Sequence, residues 1–142
     1  MACPYFHPTT RIEDNSWIIP PRLPLGDAYN GECRANTAAF QPPENVVRET
    51  CNVGYARESC THFPPDAPAD AVRFHIAEAR SDLIRIQYVF EKDCWPRDHG
   101  TLECAVASLQ ISPSVDSILK SQAAAFVESY LRRREQALAT KA

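Results

Sequence analysis

The sequence predicts an α+β protein. It should combine a proline-rich N-terminal lobe of loops and short helices, a three-stranded antiparallel sheet and a long C-terminal amphipathic helix. Three observations carry that reading. Ten of the twelve prolines and four of the six cysteines fall within residues 1–70. Apolar residues alternate with period two in three segments between residues 71 and 106, and from Val115 to Leu131 they recur at helical spacing. The 142 residues suit a single domain, 1–142, made of a cysteine-bearing lobe (1–70) and a sheet-plus-helix half (71–142).

Proline fixes φ and removes a backbone donor, so residues 1–70 are expected to be mostly loop. They are not a solvated tail. Tyr5, Phe6, Trp17, Ile18, Ile19, Leu23, Leu25, Tyr29, Phe40, Val46, Val47, Tyr55 and Phe63 supply too much apolar surface for that. Pro42-Pro43-Glu44 opens a short helix reaching Cys51, and Gly54 suits the left-handed residue just beyond it. Val72, Phe74 and Ile76 alternate with Arg73 and His75, a first strand. Ile84, Ile86, Tyr88 and Phe90 form a second, and Leu102, Cys104 and Val106 a third. Residues 93–100, with Pro96, Asp98 and Gly100, read as a long hairpin connection. Ser112-Pro113 reads as the N-cap and first position of the helix. Its apolar stripe runs through Ile118, Leu119, Ala123, Phe126, Val127 and Tyr130. Arg132, Arg133 and Arg134 meet the negative end of its dipole.

The cysteines give the most definite chemistry. The N-terminus has no basic segment followed by an apolar one, so no signal peptide is visible and a cytoplasmic location is expected. A disulfide framework is disfavoured there. Cys3, Cys33, Cys51 and Cys60 lie in the loop-rich half, separated by 29, 17 and 8 residues. Loops of that length need a staple, and thiolates converging on a metal centre supply one. Zinc sites usually draw two sulfurs from one tight C-x₂₋₄-C turn, and no such pair exists here. A [4Fe–4S] cube accepts ligands from four unrelated segments. The expectation is therefore one [4Fe–4S] cluster held by Cys3, Cys33, Cys51 and Cys60, with a Cys₄ zinc site as the alternative. Tyr5, Phe6, Tyr55 and Phe63 are candidates for an apolar wall around it, and the small residues flanking Cys33 and Cys51, Gly31 and Gly54, could let backbone amides approach cluster sulfides. Cys104 falls on the inward face of its strand and acts as a small hydrophobe. Cys94 belongs to no motif. Single spaced cysteines around one [4Fe–4S] cluster resemble the ligand sets of some nucleases, helicases and the large primase subunit. Those families also have a close cysteine pair and further motifs that this chain lacks, so no fold and no residue is carried over from them.

Other chemistry is thin. No phosphate-cradling glycine loop, H-E-x-x-H or C-x-x-C is present. His62, two residues from Cys60, and His7, four from Cys3, are alternative ligands. Cys60 with His62 is the only local pair for a thiol-dependent enzyme. The formal charge of −3 argues against a nonspecific nucleic-acid binder, and no stretch is long and apolar enough to insert into a membrane. Residues 1–70 carry five Arg against nine acidic side chains. That negative half suits a basic protein redox partner, and the expected role is electron transfer.

Overall fold

The computed structural model describes residues 2–12, 25, 29–35, 39–56, 60–113 and 115–141, without the side chains of 48, 49 and 136–141. The expected apolar residues Trp17, Ile18, Ile19 and Leu23 lie outside the described residues. The molecule is mostly β, which corrects the α+β expectation. A two-stranded antiparallel sheet joins β1 (Phe6–Arg11) to β2 (Tyr29–Cys33). A four-stranded antiparallel sheet follows the order β3 (Ala71–Ala79), β4 (Leu83–Lys92), β5 (Trp95–Ala105), β6 (Ile111–Ser112). Helix α1 (Glu44–Val46) continues into a wider π turn, Val47–Cys51, and α2 (Ser117–Lys141) closes the chain.

The N-terminal half is therefore not a loop lobe standing apart from a three-stranded sheet. β1 forms despite Pro8 because the ladder shifts register between Pro8 and Thr10, and a bulge is where a strand tolerates proline. Opposite Pro8 lies Gly31. A Cβ there would collide with the His7 carbonyl oxygen, so only glycine lets the two strands approach so closely. Ala2, fully buried, exchanges both backbone hydrogen bonds with Val72, each 2.8 Å, and so ties the start of the chain to the edge of the large sheet.

In the large sheet the alternation holds. Ile84, Ile86, Leu102 and Cys104 are buried on one face, paired Ile84 with Cys104 and Ile86 with Leu102. The segment read as a long connection is instead mostly strand: β4 and β5 are joined by two residues, Asp93 and Cys94, both at positive φ. Helix α2 begins after Asp116 rather than at Pro113. The Asp116 carboxylate accepts from the Ile118 and Leu119 amides at 3.1 and 3.3 Å, while Ser112 is taken up by β6.

Helix α2 buries more than one stripe because it has neighbours on two sides. Phe126 stacks on Phe74 of β3, with ring centroids 5.5 Å apart. On the other side the Tyr29 hydroxyl donates to the Ala125 carbonyl at 3.0 Å and shares a 2.6 Å hydrogen bond with Ser129 Oγ. The small residues Ala123, Ala125 and Ser129 are buried between those contacts.

Candidate functional site

The residues preceding β1, the end of β2, the π turn and the loop before β3 each contribute one cysteine to a single cavity. Cys3, Cys33, Cys51 and Cys60 all line it. Cys3 precedes the Pro4–Tyr5 turn, and its amide donates to the Cys51 carbonyl at 3.0 Å. Cys33 ends β2 opposite Phe6 and bridges to Phe40 on its other side. Cys51 closes the π turn. The Cys60 amide donates to the Ala56 carbonyl at 2.7 Å. The first three are buried and Cys60 is half-buried. No disulfide forms, and all six cysteines are thiols.

Two buried amides hold these segments in place, and neither stood out in the sequence. Asn52 accepts from the Tyr29 amide at 3.0 Å and donates to the Tyr29 and Val47 carbonyls, both at 2.9 Å, which locks the Cys51 turn against β2. Gln122 of α2 donates to the carbonyls of Cys3 and Phe6 at 2.8 and 2.7 Å. The only sequence signal for either is a long polar side chain inside an apolar segment. Gly54, at φ 81, is the left-handed residue the sequence predicts there, with its amide on the Thr50 carbonyl at 2.8 Å.

The cavity has about 320 Å³ of atom-free space, part of it open to solvent. About 20 Å³ of that admits the centre of a water molecule. Its other walls include Tyr5, Phe40, Val46 and Phe63. Tyr5 meets Phe63 edge to face, centroids 5.6 Å apart. Of the four aromatics expected around the thiols, Tyr5 and Phe63 are there. Phe6 points into the core, and Tyr55 turns away to donate its hydroxyl to Glu91 at 2.8 Å. Gly31 serves the approach of β1 rather than the thiols.

Burial pushes the Cys3 thiol up to about 12 and Cys51 up to about 11 from an ordinary 9.0, and raises Cys33 as well. Opposing that, the Tyr5 and Ala35 backbone amides favour the Cys3 and Cys33 thiolates, and the Thr50 hydroxyl favours that of Cys51. Each of these three thiols also feels the negative charge of other members of the set, which raises it further. Among the described residues no group of three or more His, Cys, Asp or Glu side chains is arranged to hold a metal ion.

The other candidates separate clearly. His62 lies at the cavity wall, exposed, with its ring 4.3 Å from that of Phe40, and no hydrogen bond joins it to Cys60 among the described residues. His7 faces Glu32 across β1 and β2 and does not line the cavity. Burial and the Arg34 guanidinium hold it below its ordinary value. Cys104 is fully buried in the sheet core, and Cys94 is exposed at the β4–β5 turn. Among the described residues no helix is long and apolar enough to cross a membrane. Comparison of the chain with protein-family models, with curated proteins and with solved structures finds no match.

Proposed function

We propose that the protein binds one [4Fe–4S] cluster through Cys3, Cys33, Cys51 and Cys60 and serves one-electron transfer to a basic protein partner. The observation that carries this is the convergence of four thiols, from four separate backbone segments, on one apolar-walled cavity. Buried thiols that repel one another as thiolates need a cationic centre to ionise together. The backbone amides of Tyr5 and Ala35, which favour the thiolates, supply the kind of outer-shell hydrogen bond that tunes metal–thiolate centres. A single zinc ion usually draws two of its sulfurs from one tight C-x₂₋₄-C turn, and this chain has no such pair. That favours the cluster over the Cys₄ zinc alternative. Six unpaired thiols fit a reducing, cytoplasmic setting. Cys60, half-buried in the cavity wall, gives electrons a short path to the surface.

The test is anaerobic purification with iron and sulfide analysis, then dithionite titration followed by electron paramagnetic resonance. The expected result is a brown protein absorbing near about 400 nm, with about four irons per chain and reversible one-electron reduction. Ser at any of Cys3, Cys33, Cys51 or Cys60 should lose or destabilise the metal, and partner association should weaken as salt rises. A colourless protein with one zinc would establish the alternative. A metal-free protein folded under reducing, iron-replete conditions would sink both. Reaction of Cys60 alone with an alkylating agent, in a metal-free protein of normal fold, would favour the thiol-enzyme reading.

A further inference from the structure

A second cavity lies against the same N-terminal turn. It is much roomier: the centre of a water molecule fits in about 310 Å³ of it, against about 20 Å³ in the thiol cavity. The larger volume is at the lower end of the range of small-molecule sites, roughly 300–1,000 Å³. Its walls are apolar and stiff: Pro4 and Tyr5, Pro68 and Ala69 from the segment before β3, and Phe90 of β4. Tyr5 also lines the thiol cavity, so one residue borders both.

The polar groups are few, and most are already committed. The Asp116 carboxylate caps α2 through the Ile118 and Leu119 amides. Asp98 Oδ1 accepts from the His99 amide at 2.9 Å, which leaves Oδ2 as an acceptor. The Arg97 guanidinium has no hydrogen bond or ion pair among the described residues. Arg97, Asp98, Asp116 and Pro68 are exposed and border the mouth, while Ala69 is buried and Pro4, Tyr5 and Phe90 are half-buried, and these form the interior.

These groups select a chemistry. Two carboxylates against one guanidinium disfavour an anion. A plain hydrocarbon would leave the donor and acceptor at the mouth unused. A flat ring system with a carbonyl next to a ring N–H uses both, because the guanidinium donates to the carbonyl while the carboxylate accepts from the N–H. We infer that this cavity binds a flat, uncharged heteroaromatic molecule of two or three fused rings, held at its edge by Arg97 and Asp98 and along its faces by Tyr5, Phe90 and the prolines. The inference stands on this cavity alone and does not depend on what the four thiols hold.

The probe is lumiflavin, an uncharged tricycle with that edge, titrated against the protein by fluorescence anisotropy. Saturable binding of one molecule per chain is expected. On the unaltered protein, 3-methyllumiflavin, whose methyl group takes the place of the donated proton, and phenazine, which offers neither side chain a carbonyl or an N–H, should bind about ten-fold more weakly. Arg97→Met should weaken lumiflavin to a similar degree and leave phenazine unchanged. The absence of saturable lumiflavin binding would overturn the inference, and so would equal affinity for all three probes or an unaltered affinity in Arg97→Met. Iron is assayed in the same samples. Binding without iron sinks only the cluster reading, and iron without binding sinks only this one.

Discussion

Gln122 uses both protons of its side-chain amide to hold the backbone on either side of the Pro4–Tyr5 turn. Replacing it with Leu leaves two carbonyls inside the protein without their donor, which should cost about 2 kcal/mol or more. Urea titration of Gln122→Leu should show a lower midpoint, and the metal content expected of the proposed centre should fall although none of the four cysteines is touched. Cys104→Ala gives the contrast: it removes one sulfur from a packed sheet face, costs about 1 kcal/mol and leaves the metal in place. The thiols make a further prediction for the metal-free protein. An unfolded chain ionises its cysteines near 9, while folded Cys3 and Cys51 hold their protons to about 12 and about 11. Stability is therefore fully present below pH 9. It is lost as pH rises above 9, at up to about 1.4 kcal/mol per pH unit for each thiol. Thermal melts of metal-free protein between pH 8 and 11 should decline above pH 9, less steeply in Cys3→Ser, and a flat profile would contradict the burial of Cys3. Metal binding has the opposite sign, because it displaces those protons and so weakens as pH falls.

Among the elements, the turn between β4 and β5 is where the sequence is most at odds with the geometry it adopts. Asp93 and Cys94 both take positive φ, 52° and 66°, a two-residue connection in which glycine is favoured at the second position. The turn is held from outside. The Asp93 amide donates to Asp70 at 3.0 Å, and the Cys94 amide to the Tyr55 hydroxyl at 3.1 Å. Both bonds use backbone donors, so Cys94→Gly keeps them and removes the steric penalty. It should stabilise the protein by about 1 kcal/mol, read as a higher midpoint of unfolding with unchanged metal content. The same stretch explains what could and could not be read from sequence. Ile84, Ile86, Leu102 and Cys104 alternate because one sheet face is buried, and that pattern is visible in any single segment. Residues 95–100 are exposed on nearly every side, so no alternation marks them. Pro96, Asp98 and Gly100 look like loop residues, yet Pro96 sits at the strand bulge opposite Glu91 and Gly100 makes room for the Tyr88 ring. β1 was hidden for the same reason, with Pro8 placed at its bulge. The four cysteines were legible because thiols in loops have few other uses. Asn52 and Gln122 were not, because their partners are carbonyls distant in sequence.

At the scale of the whole molecule, α2 ties the two halves together. It touches β1 and the Cys3 turn on one side and β3 on the other. A metal-stapled lobe that melts separately would spare the helix. This architecture does not allow that, since releasing Cys3 also releases the partners of Gln122. Hydrogen exchange on metal-depleted protein should therefore show protection lost together in β1, the Cys51 turn and α2 between residues 122 and 129, while the centre of β4 keeps its protection. A helix that stayed protected while β1 opened would contradict this coupling.

The pairing of Ala2 with Val72 has a consequence for self-association. β3 is the outermost strand of the large sheet, and Ala2 satisfies the amide and the carbonyl of Val72 near its beginning. Cys3 is the next residue, so whatever anchors that thiol also keeps this edge position occupied. Once the anchor is gone, the groups of Val72 become available to a strand from another copy, and exposed strand edges are the usual starting points for aggregation. Loss of the proposed thiol-held centre should then appear first as concentration-dependent oligomers and only afterwards as unfolding. A bulky proline at position 2, which cannot donate to Val72, should produce the same oligomers with all four thiols intact.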